Sequence, residues 1–197
     1  MRNLLAIPCA AIALLAAGCA SSKPVHYYSL STPPPANDTK ANGPVILVGL
    51  IATPESLQDA RIRYHSAANE VGGYEYHRWE ERPGAMVRLS LVRALRATGQ
   101  YQRVLESTSS AAAGYLLRGQ LYEFAELDNP SIRTRISLQL ELVDRKTNLT
   151  VWDRHFEREE PAGGKRIEDV VASMDRNLQA LVATAAAGIG TYFTPAN

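Results

Sequence analysis

Apolar and polar side chains alternate most regularly between Ile132 and Val143. The apolar or β-branched positions are Ile132, Thr134, Ile136, Leu138, Leu140 and Leu142, and the polar ones are Arg133, Arg135, Ser137, Gln139 and Glu141. A period of two predicts a strand with one buried and one solvated face. Gly114 to Phe124 and Leu149 to Glu159 carry similar strand signals, and Asp128-Asn129-Pro130 and Asp144 to Asn148 supply turns between the three segments. The pattern predicts an antiparallel meander.

Two segments show the period of amphipathic helices. The first begins at Pro83-Gly84 and ends near Thr98, where Gly99 follows as a helix-ending residue. The second extends from about Ile167 to Ile189 and is expected to pack on the apolar face of the meander. Strand groups interrupted by two helices predict an α+β two-layer sandwich with a mainly antiparallel sheet.

Shorter strands are predicted before the first helix. His26 to Leu30 has strand composition, and Val45 to Ile51 is a continuous apolar run typical of a buried strand. Arg61 to Tyr64 and Tyr74 to Trp79 are predicted as two short strands around a turn at Gly72-Gly73. Together with the meander and the helices, these strands are expected to form one domain over residues 26–197.

The chain begins with a short apolar segment that has the features of an export signal. Arg2 supplies the positive charge, and Leu4 to Ala17 supplies the apolar stretch. This stretch is too short to cross a bilayer as a helix, and Pro8 interrupts it. A signal peptide is therefore predicted over residues 1–18.

Cys19 directly follows the small residues Ala16-Ala17-Gly18, an arrangement that resembles the bacterial lipobox. The resemblance implies that the Cys19 thiol is acylated, with palmitate-type chains anchoring the mature protein through a tether over residues 19–25. Ala20 in place of an aspartate favours the outer membrane, by resemblance to sorting in Gram-negative bacteria. The alternative is an ordinary signal peptide with an incidental cysteine. Cys9 is the one other cysteine and lies within the signal, so Cys19 has no disulfide partner.

Charge narrows the range of partners. The chain has 21 basic and 20 acidic residues, and removal of the signal with its single charge at Arg2 leaves the mature chain neutral. A neutral chain gives no electrostatic case for nucleic-acid binding. It also offers no excess of basic residues for anionic lipid, so the membrane contact is expected through the acyl anchor.

Catalytic and metal-binding motifs are absent from the sequence. The histidines at 26, 65, 77 and 155 are far apart, and no nucleophile-elbow or zinc motif occurs. Asp153 and His155 share a face of a predicted strand, but a triad built on them would need a serine placed by the fold, and a solvated strand face is the favoured interpretation. No catalytic residue, no metal site and no cofactor is predicted.

Aromatic and arginine residues concentrate between Arg61 and Trp79. This composition is typical of binding hot spots, so the segment is a hypothesis for a partner-binding surface. The candidate residues are Arg61, Arg63, Tyr74, Tyr76, Arg78 and Trp79. For the arginines, an internal polar network and an interface rim are equal alternatives. Whether the aromatic cluster belongs to an interface or to the core stays open.

The order of these pieces resembles the ABC-type transport auxiliary lipoproteins, the family of the paraquat-inducible protein C (PqiC-like) lipoproteins. The likeness rests on the lipobox at Cys19, the start Tyr27-Tyr28-Ser29-Leu30, the segment Arg61-Ile62-Arg63-Tyr64, the pair Arg78-Trp79 before a helix, and the strand start Tyr115-Leu116-Leu117. It covers nearly the whole mature chain.

The resemblance implies a non-enzymatic outer-membrane subunit of an ABC-type lipid transport system. Its partner would be a mammalian-cell-entry (MCE) domain protein that carries lipids between the membranes. The sequence leaves undecided whether several copies of this chain form a homo-oligomer around that partner. Cys19 and Tyr27 are separated by at most roughly 26 Å, so the domain stays close to one membrane and a long partner must reach it. The alternative is a regulator of a peptidoglycan synthase, although such lipoproteins often carry a long tether. An envelope hydrolase would need a motif that is absent.

Overall fold

The computed structural model describes residues 23–31, 43–106 and 112–194. The predicted signal peptide, Cys19 and the first part of the tether lie outside these residues. Within them, two helices accompany one eight-stranded sheet. The α+β sandwich predicted from the sequence is confirmed.

Eight strands and two helices follow one another along the described residues. They are β1 (His26–Tyr28), β2 (Val45–Ala52), β3 (Arg61–Ala67), β4 (Glu70–Trp79), α1 (Pro83–Ala97), β5 (Arg103–Glu106), β6 (Tyr115–Leu127), β7 (Arg133–Asp144), β8 (Leu149–Pro161) and α2 (Ile167–Tyr192). A single 3₁₀ turn, Glu55–Leu57, lies between β2 and β3. Gly99 follows α1 at a φ of 64°, a conformation that glycine adopts without strain, so its predicted role in ending α1 is confirmed.

Strands β6, β7 and β8 form the predicted antiparallel meander. Leu121 is in register with Leu138, and Leu138 with Phe156, so apolar side chains meet across all three strands. Helix α2 packs on this apolar face, where Ser173 Oγ lies 3.0 Å from Thr134 Oγ1. The alternation of β7 therefore predicted its buried side correctly, because one face of the strand is covered by α2.

The sheet forks at β6. One edge of β6 pairs with β7 along nearly its whole length. On the other edge, its first half pairs in parallel with β2, whereas the last three residues pair in parallel with β3. Strand β2 continues the sheet to β5, and β3 continues it to β4 and β1. These parallel pairings were not predicted, since parallel partners are distant in sequence and leave no local turn signal.

The turn predicted at Gly72-Gly73 is wrong. Both glycines lie within β4, and the β3–β4 turn is at Ala68-Asn69. A Cβ atom on Gly72 would lie closer than 3.0 Å to the ring of Tyr64, and one on Gly73 would lie 3.1 Å from Arg63 Nη1. The glycines thus allow side chains of β3 to lie across β4. Glycine within a strand can therefore mark a close approach of neighbouring atoms rather than a turn.

Both helices pack on the same face of the sheet. The core between them includes the fully buried side chains Ile62, Trp79, Leu91, Phe124, Leu138 and Leu178. The opposite face carries the polar alternates of β7, and no helix of the described residues covers it. Within the same residues, neither helix combines the length and apolar character that a membrane-spanning segment needs.

Candidate docking surface

The alternation of β3 and β4 divides the candidate residues between two faces. Arg61 and Arg78 are directly opposite in register, so their side chains share a face. Arg63 lies on that face too, because Arg61 and Arg63 both contact the position where Gly73 would carry a side chain. We call this helix-free side of the sheet, which also carries Arg135, the open face.

Trp79 lies on the other side of β4. Its side chain is 0 % exposed and packs edge to face on Phe124, with ring centroids 5.6 Å apart. The hypothesis that Trp79 contacts a partner therefore needs correction, because a partner cannot reach it. The step of one residue from Arg78 turns the indole from the open face into the core.

Tyr74 is half-buried and belongs to an internal cluster. Its hydroxyl donates a hydrogen bond of 2.9 Å to Glu126, a carboxyl that is 2 % exposed. Burial raises the pKa of Glu126 to about 7, although the hydrogen bond from Tyr74 opposes this effect. The Tyr74 ring also contacts Tyr64 and His77, at centroid distances of 5.1 and 5.8 Å. The Tyr74 hydroxyl and ring are thus engaged mainly in contacts within the protein.

Tyr76 lies where the β3–β4 register shifts, at the junction with β1. Lys23 Nζ lies 5.6 Å from the centroid of the Tyr76 ring. The next residue, His77, stacks on His26 at 5.4 Å, and its Nδ1 lies 2.9 Å from the hydroxyl of Tyr28. These contacts attach the three-residue strand β1 to the sheet edge, and they leave Tyr76 partly accessible beside it.

Ion pairs of alternating sign cover the open face. Glu123 lies 3.1 Å from His65 and 3.7 Å from Arg135, and Arg135 also pairs with Glu159. The hydrogen bond with Glu159 is the main reason why the pKa of Arg135 is raised. Because partly exposed pairs contribute only about 0–1 kcal/mol each, these ion pairs add little to stability and mainly give this face a pattern of alternating charge.

At the start of β3, the arginines of the open face pair with Asp59 in the preceding loop. Asp59 accepts a hydrogen bond of 2.9 Å from Arg63 Nη2 and lies 3.8 Å from Arg61 Nε. Half of the Arg61 side chain remains exposed, whereas Arg63 is largely covered. Of the arginines that the sequence singled out, Arg61 is therefore available to a partner at the smallest cost to the fold.

A groove of about 430 Å³ crosses the open face beside these arginines. Leu57, Val71 and Tyr122 are among the apolar and aromatic residues that line it, and Val71 and Tyr122 are both 55 % exposed. A depression of about 380 Å³ continues it toward Asn129. The sequence did not predict Val71 or Tyr122 as site residues, because strand pairings between distant segments bring them to the groove. Arg133 and Arg135, in contrast, were predicted on the polar face of β7.

Asp153 and His155 are both exposed on the open face. Ser137 Oγ lies 3.4 Å from His155 Nε2, so the fold does place a serine near this imidazole. Asp153, however, accepts its hydrogen bond from Gln139 Nε2 at 3.4 Å. The aspartate and the histidine thus engage different partners and form two polar contacts rather than a relay. Among the described residues no group of three or more possible metal ligands occurs.

The amino-acid sequence shows which protein family this sandwich with one helix-free face belongs to. The chain belongs to the family of the ABC-type transport auxiliary lipoprotein component, whose model matches residues 28–186. The resemblance inferred from the sequence is confirmed. The match includes β2 to β8, α1 and all six candidate docking residues between Arg61 and Trp79.

Solved structures share the fold at low sequence identity. Protein XCC0632 from Xanthomonas campestris superposes with a TM-score of 0.75 at 17% identity, covering 85% of this chain and 96% of the other. An uncharacterized protein gives 0.69 at 17% identity, covering 85% and 99%. The hypothetical protein CT253 from Chlamydia trachomatis gives 0.50 at 11% identity, covering 77% and 98%. The chain matches no curated protein sequence.

Proposed function

We propose that this protein is an outer-membrane lipoprotein subunit of an MCE/ABC-type intermembrane lipid transport system. In this role it has no enzymatic activity of its own and docks a periplasm-spanning MCE-domain partner. Family membership supports the auxiliary role in transport. The observation that carries the docking role is the open face, an entire side of the sheet that no described helix covers.

The open face has the composition of a protein interface. Its groove is lined by apolar and aromatic side chains together with charged ones such as Arg63 and Arg135. Aromatic and arginine side chains are typical anchors of protein interfaces. Arg61, Arg63, Arg78 and Tyr76 stay in the proposed docking surface, and Tyr122 joins them from the groove. Docking through several copies would produce a homo-oligomer around the partner, which light scattering of the complex would detect.

The membrane attachment in this proposal depends on Cys19. Replacing Cys19 with serine is expected to abolish lipid labelling and to leave unprocessed precursor or mislocalised protein. Labelling with a radioactive or clickable fatty acid, followed by membrane fractionation, measures both effects. Normal outer-membrane fractionation of the variant would contradict the anchor.

Docking is tested by capture of an MCE-domain protein from the same organism. The domain lacking its first 19 residues serves as bait, and Arg61→Ala and Tyr122→Ala are expected to weaken capture without changing the melting temperature. Arg103→Ala is the matched control, because Arg103 is an exposed strand arginine on β5, away from the groove.

Two outcomes would contradict the docking proposal. If Arg61→Ala and Tyr122→Ala bind as well as the control, the partner uses another surface. If the unchanged domain captures a peptidoglycan synthase and no MCE protein, the protein is a regulator of cell-wall synthesis instead.

A further inference from the structure

The direction of β1 determines which end of the domain is nearest to Cys19. β1 pairs in parallel with β4, with His26 opposite His77 and Tyr28 opposite Trp79. Residues before β1 therefore lie toward the beginning of β4, which is the side of the β3–β4 turn. The contact between Lys23 and the Tyr76 ring agrees with this direction.

Two further connections lie at the same end of the sheet. His65 of β3 is in register with Leu127 of β6, so the β6–β7 connection follows beside the β3–β4 turn. Arg133 of β7 is in register with Pro161 of β8, which brings the β8–α2 connection to the same level. We call this end the turn pole, formed by residues 67–70, 128–132 and 162–166.

The tether is too short to hold the turn pole away from the membrane. Cys19 and Lys23 are four residues apart, so their Cα atoms are at most roughly 14 Å apart. From Tyr76, which contacts Lys23, β4 extends back to Glu70 over a length of up to roughly 20 Å, reduced somewhat by the bulge. The turn pole thus extends about as far in the direction of the anchor as Cys19 itself can.

We propose that the turn pole rests on the lipid surface of the membrane, with the opposite pole directed away from it. This inference depends on the proposed acylation of Cys19 and deepens the proposed function, because it orients the open face. The opposite pole consists of the starts of β5 and β6, the β7–β8 turn and the end of α2. The open face would then stand upright on the bilayer. Apart from the depression beside Asn129, which reaches the turn pole, it would be accessible to a partner that crosses the periplasm.

The side chains at the turn pole are free to meet a lipid surface. Val71, beside the β3–β4 turn, is 55 % exposed. Asn69, Pro130 and Ser131 of the connections are exposed as well. The neutral chain needs no anionic lipid for this contact, since the anchor supplies the affinity.

The test uses the full-length lipidated protein with one fluorescent label. Because Cys9 leaves with the signal and acylation blocks Cys19, an introduced cysteine is the single free thiol of the mature protein. Asn69→Cys places the label in the β3–β4 turn, and Lys146→Cys places it in the exposed β7–β8 turn at the opposite pole. The labelled proteins are reconstituted into phosphatidylethanolamine and phosphatidylglycerol vesicles that carry a nitroxide quencher on a lipid headgroup.

The label on Asn69→Cys is expected to lose most of its fluorescence, and the label on Lys146→Cys to keep nearly all of it. Flotation of the vesicles separates the two possible failures. If the protein does not float with the vesicles, the anchor fails, and the orientation fails with it. If it floats but both labels are quenched alike, or Lys146→Cys more, the anchor stands and the orientation is overturned.

Discussion

Replacing the buried carboxyl of Glu126 should change how the stability of this protein depends on pH. Burial raises the pKa of Glu126 from 4.5 to about 7 in the folded protein. Between these two values the folded state holds a proton that the unfolded state releases. The free energy of unfolding should therefore fall as the pH rises through this window, and the contribution is fully present only below the unfolded pKa.

The size of the effect follows from the difference between the two pKa values. At about 1.4 kcal/mol for each tenfold change in proton affinity, it corresponds to roughly 3 kcal/mol across the window. Glu126→Gln removes the titration, keeps the side-chain volume and still offers an oxygen that accepts the Tyr74 hydrogen bond. Above the folded pKa, the variant should be more stable than the unchanged protein by up to roughly 3 kcal/mol.

Urea denaturation across this pH window measures the difference between the two proteins. Glu123→Gln is the matched control, since Glu123 lies on the same strand but faces outward and pairs with His65 and Arg135. The control should lose up to about 1 kcal/mol and gain nothing at high pH. If Glu126→Gln follows the pH dependence of the unchanged protein, burial of this carboxyl is not what couples stability to pH.

Two comparisons of paired variants test the account of the sheet. Gly72→Ala should cost about 1–3 kcal/mol, because the new methyl group overlaps the packed ring of Tyr64. Gly163→Ala should be neutral, as nothing lies within 4 Å of its added carbon, and an equal loss of melting temperature in both would contradict the reasoning. Trp79→Ala should cost about 3–5 kcal/mol in chemical denaturation. Tyr27→Ala should stay within about 0.5 kcal/mol, and a larger loss would show that Tyr27 is packed rather than exposed.

The meander and the helices were predictable because their signals are local. In β7, each side chain from Thr134 to Leu142 reports its own face, since one side packs on α2 and the other meets solvent. Pro83 and Gly99 mark the ends of α1 within a few residues of where it begins and ends. Such patterns need no knowledge of distant residues.

The docking surface was only partly predictable, because it depends on pairings between distant strands. The segment from Arg61 to Trp79 was correctly placed on two adjacent strands, but its glycine pair was mistaken for a turn. The register shift between Arg61 and Arg63 and the burial of Trp79 against Phe124 are set by tertiary contacts. No signal within β4 distinguishes its outward arginine from its inward tryptophan except alternation, and the bulge interrupts that alternation.

The short strand β1 has a mechanical consequence. On the proposed anchoring and docking, tension between the bilayer and a partner held on the open face enters the domain through β1. Because β1 lies along the direction of pull and parallel to β4, its backbone hydrogen bonds are loaded together in shear rather than opened one after another. Just beyond β1, Ser31 is held by Asp175 and Gln179 of α2 at 3.1 and 2.8 Å. These two bonds share the load with the longest helix, so force from the membrane is spread into the core.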